Sequence, residues 1–108
     1  MSHVTTHVLD SGTGRPAAGV AVSLRGPDGG EIASAATDAD GRIGGLGPDR
    51  LPAGTASLCF DTGAYFAARG QETFYPEVVV AFRIDEEQGH LHVPLLLSPF
   101  AYSTYRGS

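Results

Sequence analysis

Glycine and proline recur from one end of the chain to the other, 15 and 7 of them in 108 residues, and the segments between them are short and rich in Val, Leu, Thr and Tyr. Glycine takes up backbone conformations that other residues avoid, and proline cannot donate to a hydrogen-bonded ladder. Breaks at this spacing leave little room for long helices and favour short strands joined by tight turns. Within the segments the side chains alternate. Over about Val20 to Arg25, Val20, Val22 and Leu24 share one face of a strand, with small or polar residues on the other.

The same alternation predicts eight strands in all. The first covers about Val4 to Leu9 and ends in the turn-rich run from Asp10 to Pro16. After the strand ending at Arg25, the turn Gly26 to Gly30 leads into a third over about Ile32 to Thr37. Asp38-Ala39-Asp40-Gly41 reads as a tight turn before a very short fourth strand around Arg42 and Ile43. A fifth places Ala56, Leu58 and Phe60 on one face, and a sixth, about Val78 to Ile84, turns Val78, Val80, Phe82 and Ile84 inward. The seventh, His90 to Leu97, and the eighth, Phe100 to Arg106, are separated by Ser98-Pro99. One short helix is expected over Ala64 to Arg69, started near Asp61-Thr62-Gly63 and stopped by Gly70. Many short strands without repeats, plus one small helix, make an all-β two-sheet sandwich the expected fold, in place of a helical bundle or a βαβ unit.

A chain of this length has room for one core, so residues 1–108 are expected to form a single domain. No apolar run is long enough to span a membrane, and the start, Met1 to Thr6, lacks the basic-then-apolar order of a leader, so a cytoplasmic location is expected. The formal charge of −5 comes from 12 acids against 7 arginines spread without a cluster, which argues against nucleic acid as a partner. Cys59, the only cysteine, lies in the apolar stretch Ala56 to Phe60 and is expected to be a small buried hydrophobe. His3 is expected to belong to a frayed terminus.

Candidate chemistry lies on the outward faces. A period of two separates Leu91, Val93, Leu95 and Leu97 on one side of the seventh strand from His90, His92, Pro94 and Leu96 on the other. In the first strand it separates Thr5, His7 and Leu9 from Val4, Thr6 and Val8. If the two strands share a sheet, their imidazoles form one polar patch outside the core. A surface histidine is more often solvated than catalytic, so periodicity alone does not make this patch a site. His-x-His on a strand also presents two metal ligands on one face, but no nearby carboxylate or cysteine completes a set, and no metal site is expected. No phosphate-cradling glycine loop or Ser/His/Asp order stands out.

The run from His90 to Ser108, HLHVPLLLSPFAYSTYRGS, closely resembles the terminal signature of the 5-hydroxyisourate hydrolases of the transthyretin-like family. Thr6-His7-Val8-Leu9-Asp10 followed by Gly14-Arg15-Pro16-Ala17, Thr37-Asp38-Ala39-Asp40-Gly41-Arg42-Ile43, and Phe74-Tyr75-Pro76-Glu77-Val78 agree with it. The resemblance implies a transthyretin-like (prealbumin-like) sandwich. It assigns the catalytic groups to His7, Arg42, His92 and Ser108 and substrate contacts to His7, Arg42 and Tyr105, with no cofactor; His90 is left as a supporting residue. It further implies a homotetramer, a dimer of dimers whose sites lie where the outer faces of one sheet meet. The implied reaction adds water to a ring carbonyl of 5-hydroxyisourate and cleaves the adjacent C–N bond, giving 2-oxo-4-hydroxy-4-carboxy-5-ureidoimidazoline in urate degradation.

Two other readings compete with a hydrolase: a small-molecule carrier like transthyretin, and a secreted sandwich used for adhesion. Transthyretins carry a lysine where this chain has His7, an acidic residue at Arg42 and a threonine at His92, and they lack the Tyr-Arg-Gly-Ser ending. The missing leader and the lack of paired cysteines count against the secreted sandwich. Imidazoles suit the hydrolysis, since a group with an ordinary pKa of about 6.5 takes and returns protons near neutral pH. Arg42 stays charged, and its planar fork is suited to a carbonyl or urate-like anion.

Overall fold

In the computed structural model, which describes residues 2–85, 87 and 89–107, alternation sorts the side chains between two facing sheets. The elements in chain order are β1 (Val4–Asp10), β2 (Arg15–Pro16), β3 (Ala21–Arg25), β4 (Glu31–Ala36), β5 (Arg42–Leu46), β6 (Gly54–Phe60), α1 (Thr62–Ala67), β7 (Val78–Ile84), β8 (Leu91–Ser98) and β9 (Ala101–Thr104). One sheet runs β2-β1-β8-β9, with β5 also paired to β1; the other runs β4-β3-β6-β7. All neighbours are antiparallel except β1 and β8, which run parallel. This is the expected two-sheet sandwich, with β2 as an addition to the eight expected strands.

The inward positions make one core. Val4 and Val8 of β1, Val22 and Leu24 of β3, Leu58 and Phe60 of β6, and Leu95 and Leu97 of β8 are all buried together. A change such as Phe60→Ala in such packing costs about 3–5 kcal/mol. The helix closes part of this core with Tyr65 and Phe66. It begins two residues before the expected start because the Asp61 carboxylate accepts the N–H of Ala64 at 3.2 Å, and Gly70, at φ +64°, lies just beyond its end. Buried Asp10 ties helix to strand: its Oδ2 accepts the Tyr65 hydroxyl at 2.9 Å, while Oδ1 accepts N–H groups of Gly12 and Thr13. Burial, then the bond to Asp10, pushes the Tyr65 phenol up to about 12.

Two expectations fail here. His3 is not frayed but buried, 4% exposed: its Nδ1 accepts the Leu51 N–H at 2.9 Å, and its main chain bonds to Pro48 and Leu91. Nothing in the local pattern marks it, because its partners lie 45 residues and more away. Cys59 is half-buried and outside the core, since the alternation that puts Leu58 and Phe60 inward turns it to the outer face of β6.

Candidate active site

Pairing between strands, which sequence patterns do not give, brings the separate outward residues together. In the parallel ladder Thr5 lies opposite His92, and in the antiparallel ladder beside it His7 lies opposite Arg42. Paired residues share a face. Thr5, His7, Arg42 and His92 therefore stand together on the side of the sheet away from the core. Next to them Leu9 faces Leu96, both only half-buried.

The tight turn before β5 fixes two of these groups. The Gly41 N–H donates to the Asp38 carbonyl, and Asp38 Oδ1 accepts the N–H groups of Asp40 and Arg42, all at 2.9 Å. Gly41 sits at φ +76°, where a Cβ would also collide with the Val8 carbonyl oxygen, so only glycine closes this turn. Arg42 is thereby set at the start of its strand, and the Asp40 carbonyl lies 3.0 Å from His7 Nε2. A carbonyl oxygen only accepts, so Nε2 donates this bond, and Nδ1 is the ring nitrogen left outside it.

His92 is held through its other nitrogen. Its Nδ1 lies 2.8 Å from Thr5 Oγ1, and the same hydroxyl lies 2.8 Å from His90 Nε2. Burial and then the charge of Arg42, with smaller contributions from His7 and His90, hold the His92 imidazole below its ordinary pKa, opposed in part by a main-chain hydrogen bond with Thr5. At pH 7 this ring is neutral and able to accept a proton. Thr5, Arg42, His90 and His92 line a cleft of about 230 Å3. A larger hollow of about 520 Å3 lies on the other sheet among Ala21, Ser23, Ser34 and Cys59. It has no imidazole on its walls, and the chemistry points to the smaller cleft.

The last residues return to His92. Pro94 has no N–H to give where Tyr105 would pair with it, and the β8–β9 ladder stops at Thr104, short of the expected Arg106. It resumes at one bridge, where the Gly107 N–H donates to the His92 carbonyl at 2.8 Å. A Cβ on Gly107 would run into Cδ2 of the His92 ring. Tyr105, 59% exposed, lines a neighbouring cleft of about 270 Å3 with Val80, Phe82 and Leu91, and His92 forms part of both clefts. Ser108 lies outside the described residues.

His7, Arg42 and His92 thus meet, Tyr105 stands one cleft away, and His90 joins the group through Thr5. Thr5 has no expected role in the sequence reading. Its position on the face of His7 is legible there, but its place between two imidazoles depends on register. Among the described residues no group of three or more His, Cys, Asp or Glu side chains is placed to hold a metal ion, and no helix is long and apolar enough to cross a membrane.

Comparison with known proteins places the chain as a whole. The HIUase/Transthyretin family model matches residues 4–107. A 5-hydroxyisourate hydrolase of Mus musculus is 47% identical over 113 residues, covering 99% of this chain and 96% of its own. One of Caulobacter vibrioides is 44% identical, with full coverage of both chains. Among solved structures, the 5-hydroxyisourate hydrolase of Klebsiella pneumoniae superimposes with a TM-score of 0.89 at 44% identity, covering 100% of this chain and 94% of that one. Transthyretin from Sparus aurata also reaches 0.89, at 36% identity, covering 99% and 97%. From the family match and these relatives together, the chain belongs to the HIUase/Transthyretin family.

Proposed function

We propose that this chain hydrolyses 5-hydroxyisourate to 2-oxo-4-hydroxy-4-carboxy-5-ureidoimidazoline, a step of urate degradation, and that His7, Arg42 and His92 carry the reaction. The observation behind the reading is their convergence on one outward face, with two imidazoles presenting different nitrogens and a guanidinium beside them. Neutral His92 takes a proton from water as it adds to a ring carbonyl of the substrate. Arg42 holds the oxygen on which negative charge develops, and a histidine returns a proton to the leaving nitrogen as the C–N bond breaks. Ser108 and Tyr105 complete the pocket in this reading. It also takes residues 1–108 as a single domain acting in the cytoplasm as a homotetramer, without cofactor, membrane or nucleic acid.

A carrier is the second reading, favoured by the equal overlap with the transthyretin of Sparus aurata. Overlap of backbones does not choose between them, because function lies in the side chains grafted on a fold. Addition of the purified protein to freshly generated 5-hydroxyisourate separates the two. The hydrolase accelerates loss of the substrate's absorbance well beyond its spontaneous decay, whereas a carrier binds thyroxine and leaves that decay unchanged.

A further inference from the structure

The Thr5 hydroxyl lies 2.8 Å from His92 Nδ1 and 2.8 Å from His90 Nε2, and it owns a single proton. It can donate to at most one of the two rings, while its two lone pairs can accept from either or both. His92 Nδ1–H donating to Thr5 leaves His92 Nε2 an unprotonated acceptor, whether Thr5 O–H then donates to His90 Nε2 or accepts from it as well. If instead Thr5 O–H donates to His92 Nδ1, a neutral His92 carries its proton on Nε2 and has no lone pair with which to accept one from water.

The geometry leaves Nε2 as the working nitrogen, because Nδ1 is taken up by the Thr5 hydroxyl. A base at Nε2 needs its lone pair there, which a neutral imidazole has only when the proton sits on Nδ1. A threonine is suited to this place, because its branched Cβ restricts the rotation that would carry the hydroxyl away.

We propose that Thr5, with His90 bonded to the same hydroxyl, is a positioning residue that locks His92 in the Nδ1–H tautomer and so keeps Nε2 free as the base. The inference rests on the hydrolase reading, while the place of Thr5 against Nδ1 does not. When water passes a proton to Nε2, the Nδ1–H bond to Thr5 is already in place, and neither the hydroxyl nor the ring has to turn. Orientation by a neighbour of this kind fixes which nitrogen of a histidine reacts.

Long-range 1H–15N correlation spectra of the 15N-labelled protein at pH 7.5 read the tautomer directly. The expected spectrum has His92 protonated at Nδ1 and bare at Nε2. Thr5→Val is expected to shift His92 toward the Nε2–H form and lower kcat about tenfold or more with little change in KM, and Thr5→Ser, which keeps the hydroxyl, to restore most of both. A wild-type His92 protonated at Nε2 overturns the inference, even if Thr5→Val does not fold. So does a Thr5→Val protein with an unchanged His92 spectrum and unchanged kcat. An Nδ1–H tautomer in a protein that does not accelerate hydrolysis would sink the hydrolase reading and leave the positioning intact.

Discussion

Arg42 faces His7 across the strands and, beyond the substrate role proposed for it, acts on His92, because its charge is among the forces that hold that imidazole below its ordinary pKa. Removing a nearby cation eases protonation, so in Arg42→Gln the His92 pKa is expected to rise and the acid limb of the kcat/KM profile to move to higher pH. A limb that stays in place would mean that His92 is not the group titrating there. His7→Ala, Arg42→Ala and His92→Ala are each expected to lower turnover about a hundredfold or more without unfolding the protein, since all three point away from the core. His90→Ala, whose hydrogen bond to the group runs through Thr5, should cost clearly less. At His3 the opposite pattern is expected. His3→Ala strips the buried Leu51 N–H of its acceptor, at about 1–3 kcal/mol of stability, with kcat unchanged; thermal unfolding beside steady-state kinetics separates the two effects. His7 and His92 could be placed outward from sequence because alternation needs only local spacing. His3 and Thr5 could not be given their partners, because those lie 48 and 85 or more residues away.

The strands that carry the site are not alike in how they were legible. β1, β3, β6, β7 and the inward face of β8 follow from a period of two, but the parallel pairing of β1 with β8 leaves no mark in either strand. β9 ends at Thr104 because of a residue on its neighbour, Pro94, a relation that neither run displays alone. The segment beyond it is expected to act on His92. Gly107→Ala should force the imidazole aside, lowering kcat severalfold or more while the melting temperature holds. Deletion of residues 106–108 should suppress hydrolysis with circular dichroism and melting temperature little changed. A deletion variant with unchanged catalytic efficiency would remove this segment from the active site.

For the whole molecule, the outward pair Leu9 and Leu96 beside the histidines is an apolar surface that a second sheet could cover. Together with the family resemblance, it supports a homotetramer whose sites are completed where outer faces meet. Sedimentation from micromolar to nanomolar concentration is expected to show the tetramer, with activity falling as it dissociates. A fully active monomer would contradict the shared site. The central claim is that this face of the sheet hydrolyses 5-hydroxyisourate, and the initial rate of loss of freshly generated 5-hydroxyisourate, measured side by side for the native chain and His92→Ala, tests it most directly. The native protein should clear the substrate far faster than it decays unaided, and the variant should fall back toward the spontaneous rate. A native rate no faster than spontaneous decay, or a variant as fast as the native protein, would contradict it.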